Sequence, residues 1–128
     1  MEQLLLHLIG DYITQSHWMA TEKTKRSWPA LCHVFIYSMP FLLIGSPLAV
    51  SVIMVTHLFM DRFRLVRYVI FAKNSILGPI SKPNDMTWED CEGTGYPSDT
   101  PAWLAVWLMI IADNTIHLIV NYAALRWL

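Results

Sequence analysis

The sequence predicts an all-α protein of the membrane. It indicates a single membrane domain over residues 1–128, folded as a small four-helix integral membrane bundle with three or four spanning helices. The 128 residues are 55% hydrophobic and 15% charged, whereas about 25% of residues are charged in a typical soluble domain. Residues 28–60 contain no Asp, Glu, Lys or Arg, and residues 101–128 form a second apolar stretch. Apolar runs longer than about 18 residues are candidates for transmembrane helices.

The first and last predicted helices follow from periodicity and from a start signal. Residues 3–19 are apolar with helical spacing but are interrupted by His7 and Asp11. A broken apolar core and the lack of a basic leader argue against a signal peptide. The last helix is predicted over residues 101–128, because the threonine and proline at 100–101 are typical of a capped helix start.

The charge-free run of residues 28–60 is too long for a single span and predicts a helical hairpin. Glycine, serine and proline at 45–47 supply a turn in its middle. The two helices of the hairpin are therefore predicted over residues 29–44 and 48–71. Pro40 lies inside the first of them and should kink it or end its regular part early.

Two polar links, residues 21–27 and 74–100, connect these helices. Basic residues gather in the first link and at the start of the second, so the positive-inside rule places both links on the cytoplasmic side. The net charge of the chain is −1, which leaves no basic field for nucleic acid to bind. The expected partners are membrane lipid and either a second copy of the chain or a host membrane protein.

Three pairs of histidine and aspartate share one spacing inside the apolar segments. Residues four apart lie on the same face of a helix, so each pair presents an imidazole and a carboxylate to one point. A single pair of this kind is most often a local ion pair or hydrogen bond, but three in one short chain favour a shared function. The pairs are His7 with Asp11, His57 with Asp61, and Asp113 with His117.

This set of side chains predicts a metal site. Each carboxylate costs about 3 kcal/mol to place in hydrocarbon, so a shared cation is the economical partner. Mixed imidazole and carboxylate ligands suit Zn, Mn or Fe better than Mg or Ca. The number of ligands exceeds the needs of one tetrahedral ion, so we expect two divalent transition metal ions bridged by a carboxylate. A fourth imidazole, His33, is open to two interpretations: metal ligand, or core histidine bonded to Tyr37 or the backbone.

The chain resembles a family of small phage and bacterial integral membrane proteins of uncharacterised function in three segments, namely LLLHLIGDYITQSHWMA, THLFMDRFRLVRY and GYPSDTPAWLAVWLMIIADNTIHLIVNYAAL. It is also similar, through its His-x-x-x-Asp motifs alone, to predicted membrane-bound metal-dependent hydrolases, one of which is a damage-inducible inner-membrane protein. These resemblances imply a multi-pass protein of the bacterial (host) inner membrane. They also imply a set of metal ligands in this chain, namely His7, Asp11, His33, His57, Asp61, Asp113 and His117.

The leading functional hypothesis is a membrane-embedded, metal-dependent hydrolase of a lipid or lipid-linked phosphoester. Asp11, Asp61 or Asp113 would bridge the ions or act as the base, and Arg64 would hold the phosphate of the substrate. A non-catalytic phage membrane protein is the alternative, either a conduit for metal or protons or an inhibitor of a host membrane process. A structural bundle joined by histidine–aspartate pairs is the third interpretation.

Overall fold

The computed structural model describes residues 1–77, 87–91 and 93–128. Within these residues the fold is all-α, as predicted, with six α-helices and no strands. A π-helical turn (Ile9–Ile13) follows the first helix, and 3₁₀ turns occur at Met39–Leu43 and Glu89–Cys91. The α-helices are α1 (Glu2–Leu8), α2 (His17–Glu22), α3 (Ser27–Ser38), α4 (Pro47–Phe63), α5 (Val66–Leu77) and α6 (Ala102–Trp127).

The chain divides into two compact units. Unit 1 consists of Met1–Arg64 and Ile116–Leu128, and unit 2 consists of Leu65–Thr115. Helix α6 contributes its first half to unit 2 and its second half to unit 1. The prediction of a single membrane domain stays a prediction.

The apolar core of unit 1 lies where α3, α4 and the second half of α6 meet. Its largest members are Tyr37, Phe41 and Ile53, each with 0% exposure. Ala124 reaches this core from α6, and small side chains on α4 allow the helices to approach closely. This packing places the inward faces of α3, α4 and α6 side by side, and the same faces carry three of the four histidines predicted as ligands.

The predicted continuous helix over residues 3–19 is wrong. Helix α1 changes into the π-helical turn at Ile9, and α2 begins only at His17. Ser16 caps α2, because its side chain accepts a hydrogen bond from the backbone N–H of Met19. The chain therefore turns between two short helices where the periodicity alone indicates one long helix.

The predicted hairpin is present, but both of its helices are shorter than expected. Helix α3 ends at Ser38, two residues before Pro40, which confirms that this proline ends the regular helix. Ser46 caps α4 and Pro47 is its first residue, which confirms the predicted turn. Helix α4 ends at Phe63 rather than near residue 71, because Arg64 adopts a left-handed conformation with φ 49° and ψ 51°.

Unit 2 begins with α5, which extends to Leu77 and so enters the segment predicted as a loop. The amide side chain of Asn74 donates a hydrogen bond to the carbonyl oxygen of Gly95, and the ring of Tyr68 stacks on Trp88. These contacts fold the described part of the polar link against α5. Residues 78–86 and residue 92 of the predicted loop lie outside the described residues.

Only one helix in the described part of the chain is long and apolar enough to cross a membrane. It is α6, with 26 residues and a mean hydropathy of 1.7, and it begins directly after Pro101 as predicted. Helices α3 and α4 have 12 and 17 residues, fewer than the roughly 20 that a spanning helix needs. A multi-pass bundle with three or four spanning helices is therefore not supported.

Candidate metal centre

Six ionisable side chains from separate elements of unit 1 converge in its interior. The helical spacing of four residues places two of them on one face of α4, and the others come from α1, the π-helical turn, α3 and α6. None of the six side chains is more than 15% exposed. We call this set the His/Asp cluster, and it comprises His7, Asp11, His33, His57, Asp61 and His117.

The first ligand group of the cluster consists of Asp11, His33 and His57. Oδ1 of Asp11 lies 3.3 Å from Nε2 of His33 and 3.5 Å from Nε2 of His57, and the two nitrogens are 3.1 Å apart. Ligand atoms of a tetrahedral zinc ion, with bonds of about 2.0–2.1 Å, lie about 3.3–3.4 Å from one another. The three atoms therefore have the spacing of three ligands of one ion.

Oδ1 of Asp11 has an environment that fits a cation. It is buried and accepts no well-aligned hydrogen bond from the described residues. Its near neighbours include the Nε2 atoms of His33 and His57, each of which can offer one lone pair to a cation when its imidazole is neutral. A buried carboxylate oxygen normally has a partner, so a metal ion at this position would satisfy an otherwise costly atom.

The second ligand group consists of His57, Asp61 and His117. Oδ2 of Asp61 lies 3.3 Å from Nε2 of His57, while Oδ1 lies 3.5 Å from Nε2 of His117. The two oxygens of Asp61 thus face different imidazoles, as the oxygens of a bridging carboxylate do. His57 belongs to both groups, and its Nε2 atom has one lone pair, so it can bind only one ion at a time.

Lys23 is the residue of this site that sequence reasoning missed. Its ammonium group lies 2.6 Å from Oδ2 of Asp61 and 3.4 Å from Nε2 of His33. The side chain is only 17% exposed, so the ion pair is largely shielded from water. From the sequence, the basic residues of this link indicate only membrane orientation. No local spacing connects Lys23 with Asp61, 38 positions later.

Tyr37 orients the histidines from the centre of unit 1. Its hydroxyl oxygen lies 2.7 Å from Nδ1 of His7 and accepts a hydrogen bond of 2.7 Å from the amide of Asn121. Its ring stacks on the imidazole of His57 with centroids 3.8 Å apart. Residues that hold ligands in this way fix their orientation and tune their basicity.

The side chains of the cluster shift one another's pKa values strongly. Burial alone would raise the pKa of Asp11 and Asp61, but the contacts with His33 and His57 outweigh it and hold both pKa values well below the ordinary range. Burial likewise disfavours the charged form of His57, yet the carboxylates of Asp11 and Asp61 raise its pKa to about 9. In the absence of metal, the cluster therefore stabilises a protonated His57 between two carboxylates.

The structure brings most of the predicted ligands together. Asp11, His33, His57, Asp61 and His117 all lie in the two ligand groups. His33 lies in the first of these groups, and its role as a metal ligand stays a prediction.

His7, Asp113 and Arg64 lie outside these groups. His7 lies beside the first group, with Nδ1 3.5 Å from Oδ2 of Asp11. Asp113 is half-buried on the part of α6 that belongs to unit 2, and Arg64 is the residue that ends α4. Their roles as ligand and phosphate clamp stay predictions.

The comparisons with known proteins identify a family and nothing closer. No curated protein and no solved structure matches the chain. Residues 1–88 match the family described as proteins of unknown function, DUF3307. This match includes α1 to α5 and, with them, every cluster residue except His117. The chain therefore belongs to the DUF3307 family of proteins of unknown function.

Proposed function

We propose that this protein is a metal-dependent hydrolase of the bacterial inner membrane, with the His/Asp cluster as its metal site. The observation that carries the proposal is the pair of buried ligand groups, with contacts of 3.1–3.5 Å between ligand atoms. Three protein ligands on one ion are typical of catalytic zinc sites, which keep a further position for water or substrate. Structural zinc sites usually have four protein ligands.

Each residue of the cluster would have its own role in hydrolysis. A bound transition metal ion supplies Lewis acidity and lowers the pKa of a coordinated water toward neutrality. His33 and His57 would hold the ion from two helices, with the carboxylate of Asp11 as the third ligand of the first group. The carboxylate of Asp11 or Asp61 can accept a proton, while Lys23 offers an ammonium group to a developing negative charge.

A site with two ions fits the orientation of Asp61. Its Oδ2 atom faces the imidazoles of the first group and its Oδ1 atom faces His117. Since His57 can serve only one ion, a second ion would depend on Asp61 as a bridge. The mixed nitrogen and oxygen ligands favour Zn, Mn or Fe.

The proposed substrate is a lipid or lipid-linked phosphoester. Helix α6 is able to cross a membrane, and it carries His117 into the metal site. A hydrolase anchored in this way acts where such substrates occur. We assign Arg64 the role of holding the substrate phosphate. It lies three residues after Asp61, at the end of α4, and its guanidinium group can bind a phosphate through two hydrogen bonds.

Elemental analysis of the detergent-purified protein tests the metal site. We expect one or two equivalents of Zn, Mn or Fe in the wild type and less than about a tenth of this in His57→Ala, because His57 is common to both groups. His17→Ala is the matched control, since His17 is exposed on α2, and it should retain the metal. A folded wild-type protein that binds none of these metals would contradict the proposal.

Cleavage of bis(4-nitrophenyl) phosphate by the metal-loaded protein tests catalysis. Asp61→Asn preserves the shape of the side chain but removes its charge, and we expect turnover to fall by about 10²–10⁴-fold. The control is Asp99→Asn, which changes an exposed residue of unit 2. Undiminished turnover in Asp61→Asn, or none in the wild type, would exclude this role.

A proton conduit is the second candidate, and one observation favours it. Asn121, Tyr37, His7 and Asp11 form a continuous buried series of polar contacts of 2.7–3.5 Å. Such series transfer protons in membrane proteins. In vesicles that contain the protein and a pH-sensitive dye, Tyr37→Phe would abolish proton flux through a conduit, whereas a hydrolase would show no flux in either protein.

A further inference from the structure

An apolar groove runs between α3 and α4 on the outer surface of unit 1. It has a volume of about 390 Å³, within the range of sites for small ligands. Its walls are formed by Trp28, Leu31 and Phe35 of α3 and by Met54, Val55 and Leu58 of α4. Trp28 and Phe35 are 68% and 59% exposed, so the groove is open along its length.

The groove differs from the His/Asp cluster in place and in chemistry. Val34 and Leu58 line the groove, whereas the residues before them in the chain, His33 and His57, face the cluster. The lining is almost wholly apolar; it contains one thiol, that of Cys32, and no charged side chain. Its length along α3, the seven helical rises from Trp28 to Phe35, corresponds to about 10 Å. A segment of an extended hydrocarbon chain fits this length and this chemistry.

Basic side chains lie at one end of the groove. Arg62 is one helical turn beyond Leu58, on the same face of α4. Its guanidinium group donates hydrogen bonds to the backbone oxygens of Thr24 and Lys25, which places it beside the start of α3. Arg26 precedes α3 and is exposed.

An occupant of this site must therefore be apolar along its length and anionic at one end. Among the described basic residues at the Trp28 end, Lys23 pairs with Asp61 and Lys25 pairs with Glu22, so Arg26 and Arg62 are the candidates to meet the anionic group. Tryptophan itself is typical of the boundary between hydrocarbon and head groups. We propose that the groove binds one acyl chain of an anionic phospholipid, with the head-group phosphate at Arg26 and Arg62.

The lipid site rests on the proposed function, because it supplies a lipid to the unit that contains the metal site. Lipid binding itself does not require hydrolysis, so the two proposals can be tested separately. Native mass spectrometry of the full chain in detergent micelles with added phosphatidylglycerol or phosphatidylcholine tests the lipid site. We expect one phosphatidylglycerol to stay bound, with phosphatidylcholine retained about fivefold to twentyfold less, since each basic residue adds a few-fold preference. Equal retention of the two lipids would overturn the proposal.

Matched variants locate the binding site. Val55→Trp fills the groove and should lower phosphatidylglycerol retention by about tenfold or more, whereas Val69→Trp, at a similarly exposed valine of unit 2, should leave it unchanged. Arg26→Gln should lower retention by about fivefold, and Arg126→Gln should not. Equal effects of a variant and its control would also overturn the proposal.

A metal-free variant separates this proposal from the proposed function. His57→Ala should lose metal and turnover but keep the bound phosphatidylglycerol, because His57 faces the cluster and does not line the groove. Loss of lipid from a folded His57→Ala protein would contradict a groove that binds lipid independently. If the wild type binds phosphatidylglycerol but contains no metal, only the proposed hydrolase fails.

Discussion

Asp61 is the residue on which the site depends most. Its side chain is 6% exposed and lies within 3.5 Å of one ammonium group and three imidazoles. Its partnership with His57 could be predicted because residues four apart on a helix are neighbours whatever the rest of the fold does. The contact with Lys23 could not be predicted, because it depends on how α2 approaches α3 and α4.

Replacing Lys23 tests whether its ammonium group stands in for a metal ion. Lys23→Met leaves the buried Asp61 carboxylate without its closest cation, so the free energy of unfolding of the metal-free protein should fall by about 3 kcal/mol. Saturating zinc should restore most of this loss, because the ion neutralises the same carboxylate. Chemical denaturation with and without zinc measures both values.

Lys25→Met is the matched control for this experiment. Lys25 is 67% exposed and pairs with Glu22 at 3.2 Å, and an exposed ion pair contributes less than about 1 kcal/mol. If the two variants lost equal stability, or if zinc had no effect on Lys23→Met, the role given to Lys23 would be wrong.

One element of unit 1 is interrupted at a residue of the His/Asp cluster. The π-helical turn at Ile9–Ile13 carries Asp11, and turns of this kind are frequent at functional sites. The hydrophobic pattern could not reveal this turn, because local periodicity does not report tertiary contacts such as that of Gly10 with the ring of Tyr37. The end of α4 at Phe63 could not be predicted either, because nothing in the local sequence requires the left-handed conformation of Arg64.

Gly10→Ala tests the contact at the π-helical turn. Alanine normally stabilises a helix relative to glycine by about 0.5–1 kcal/mol, but here a Cβ atom would lie 2.4 Å from Cδ2 of Tyr37. We therefore expect a loss of about 1–3 kcal/mol and weaker zinc binding, since Tyr37 also contacts His7 and His57. Denaturation and zinc titration measure the two effects.

A double-mutant cycle with Tyr37→Leu supplies the control. Removal of the ring should relieve the clash, so Gly10→Ala should cost less in the Tyr37→Leu background than in the wild type. An equal loss of stability in the two backgrounds would show that the effect of Gly10→Ala does not come from the ring of Tyr37.

At the scale of the whole molecule, the described residues combine a buried polar cluster with an apolar exterior. Large apolar side chains such as Phe35, Leu43 and Phe59 are more than half exposed. Composition predicted more spanning helices than the described residues contain, because it measures apolar content and not the length of uninterrupted helix. Breaks after Ser38 and Phe63 leave α6 as the one described helix of sufficient length.

The stability of the metal-free protein should depend on pH through His57. Its pKa is raised from 6.5 to about 9, so the stabilisation by its proton is complete below pH 6.5 and is lost as the pH rises toward 9. The loss is on the order of 3 kcal/mol. Zinc affinity should change in the opposite direction, since zinc requires the deprotonated imidazole.

Denaturation at pH 6, 7.5 and 9, with a chelator or with zinc, measures this dependence. His57→Gln should flatten the profile of the metal-free protein, and the exposed-site control His17→Gln should retain it. A metal-free wild type that grows more stable between pH 6.5 and 9 would contradict the charge distribution described for the cluster.

The sharing of His57 between the two ligand groups has a consequence for metal loading. The first ion to bind would take an imidazole that the second ion would also need, so a zinc titration should saturate in two unequal stages. When metal is scarce, most copies would hold a single ion and few would hold two. Cellular metal supply, more than the amount of protein, would then decide how many copies carry a complete pair.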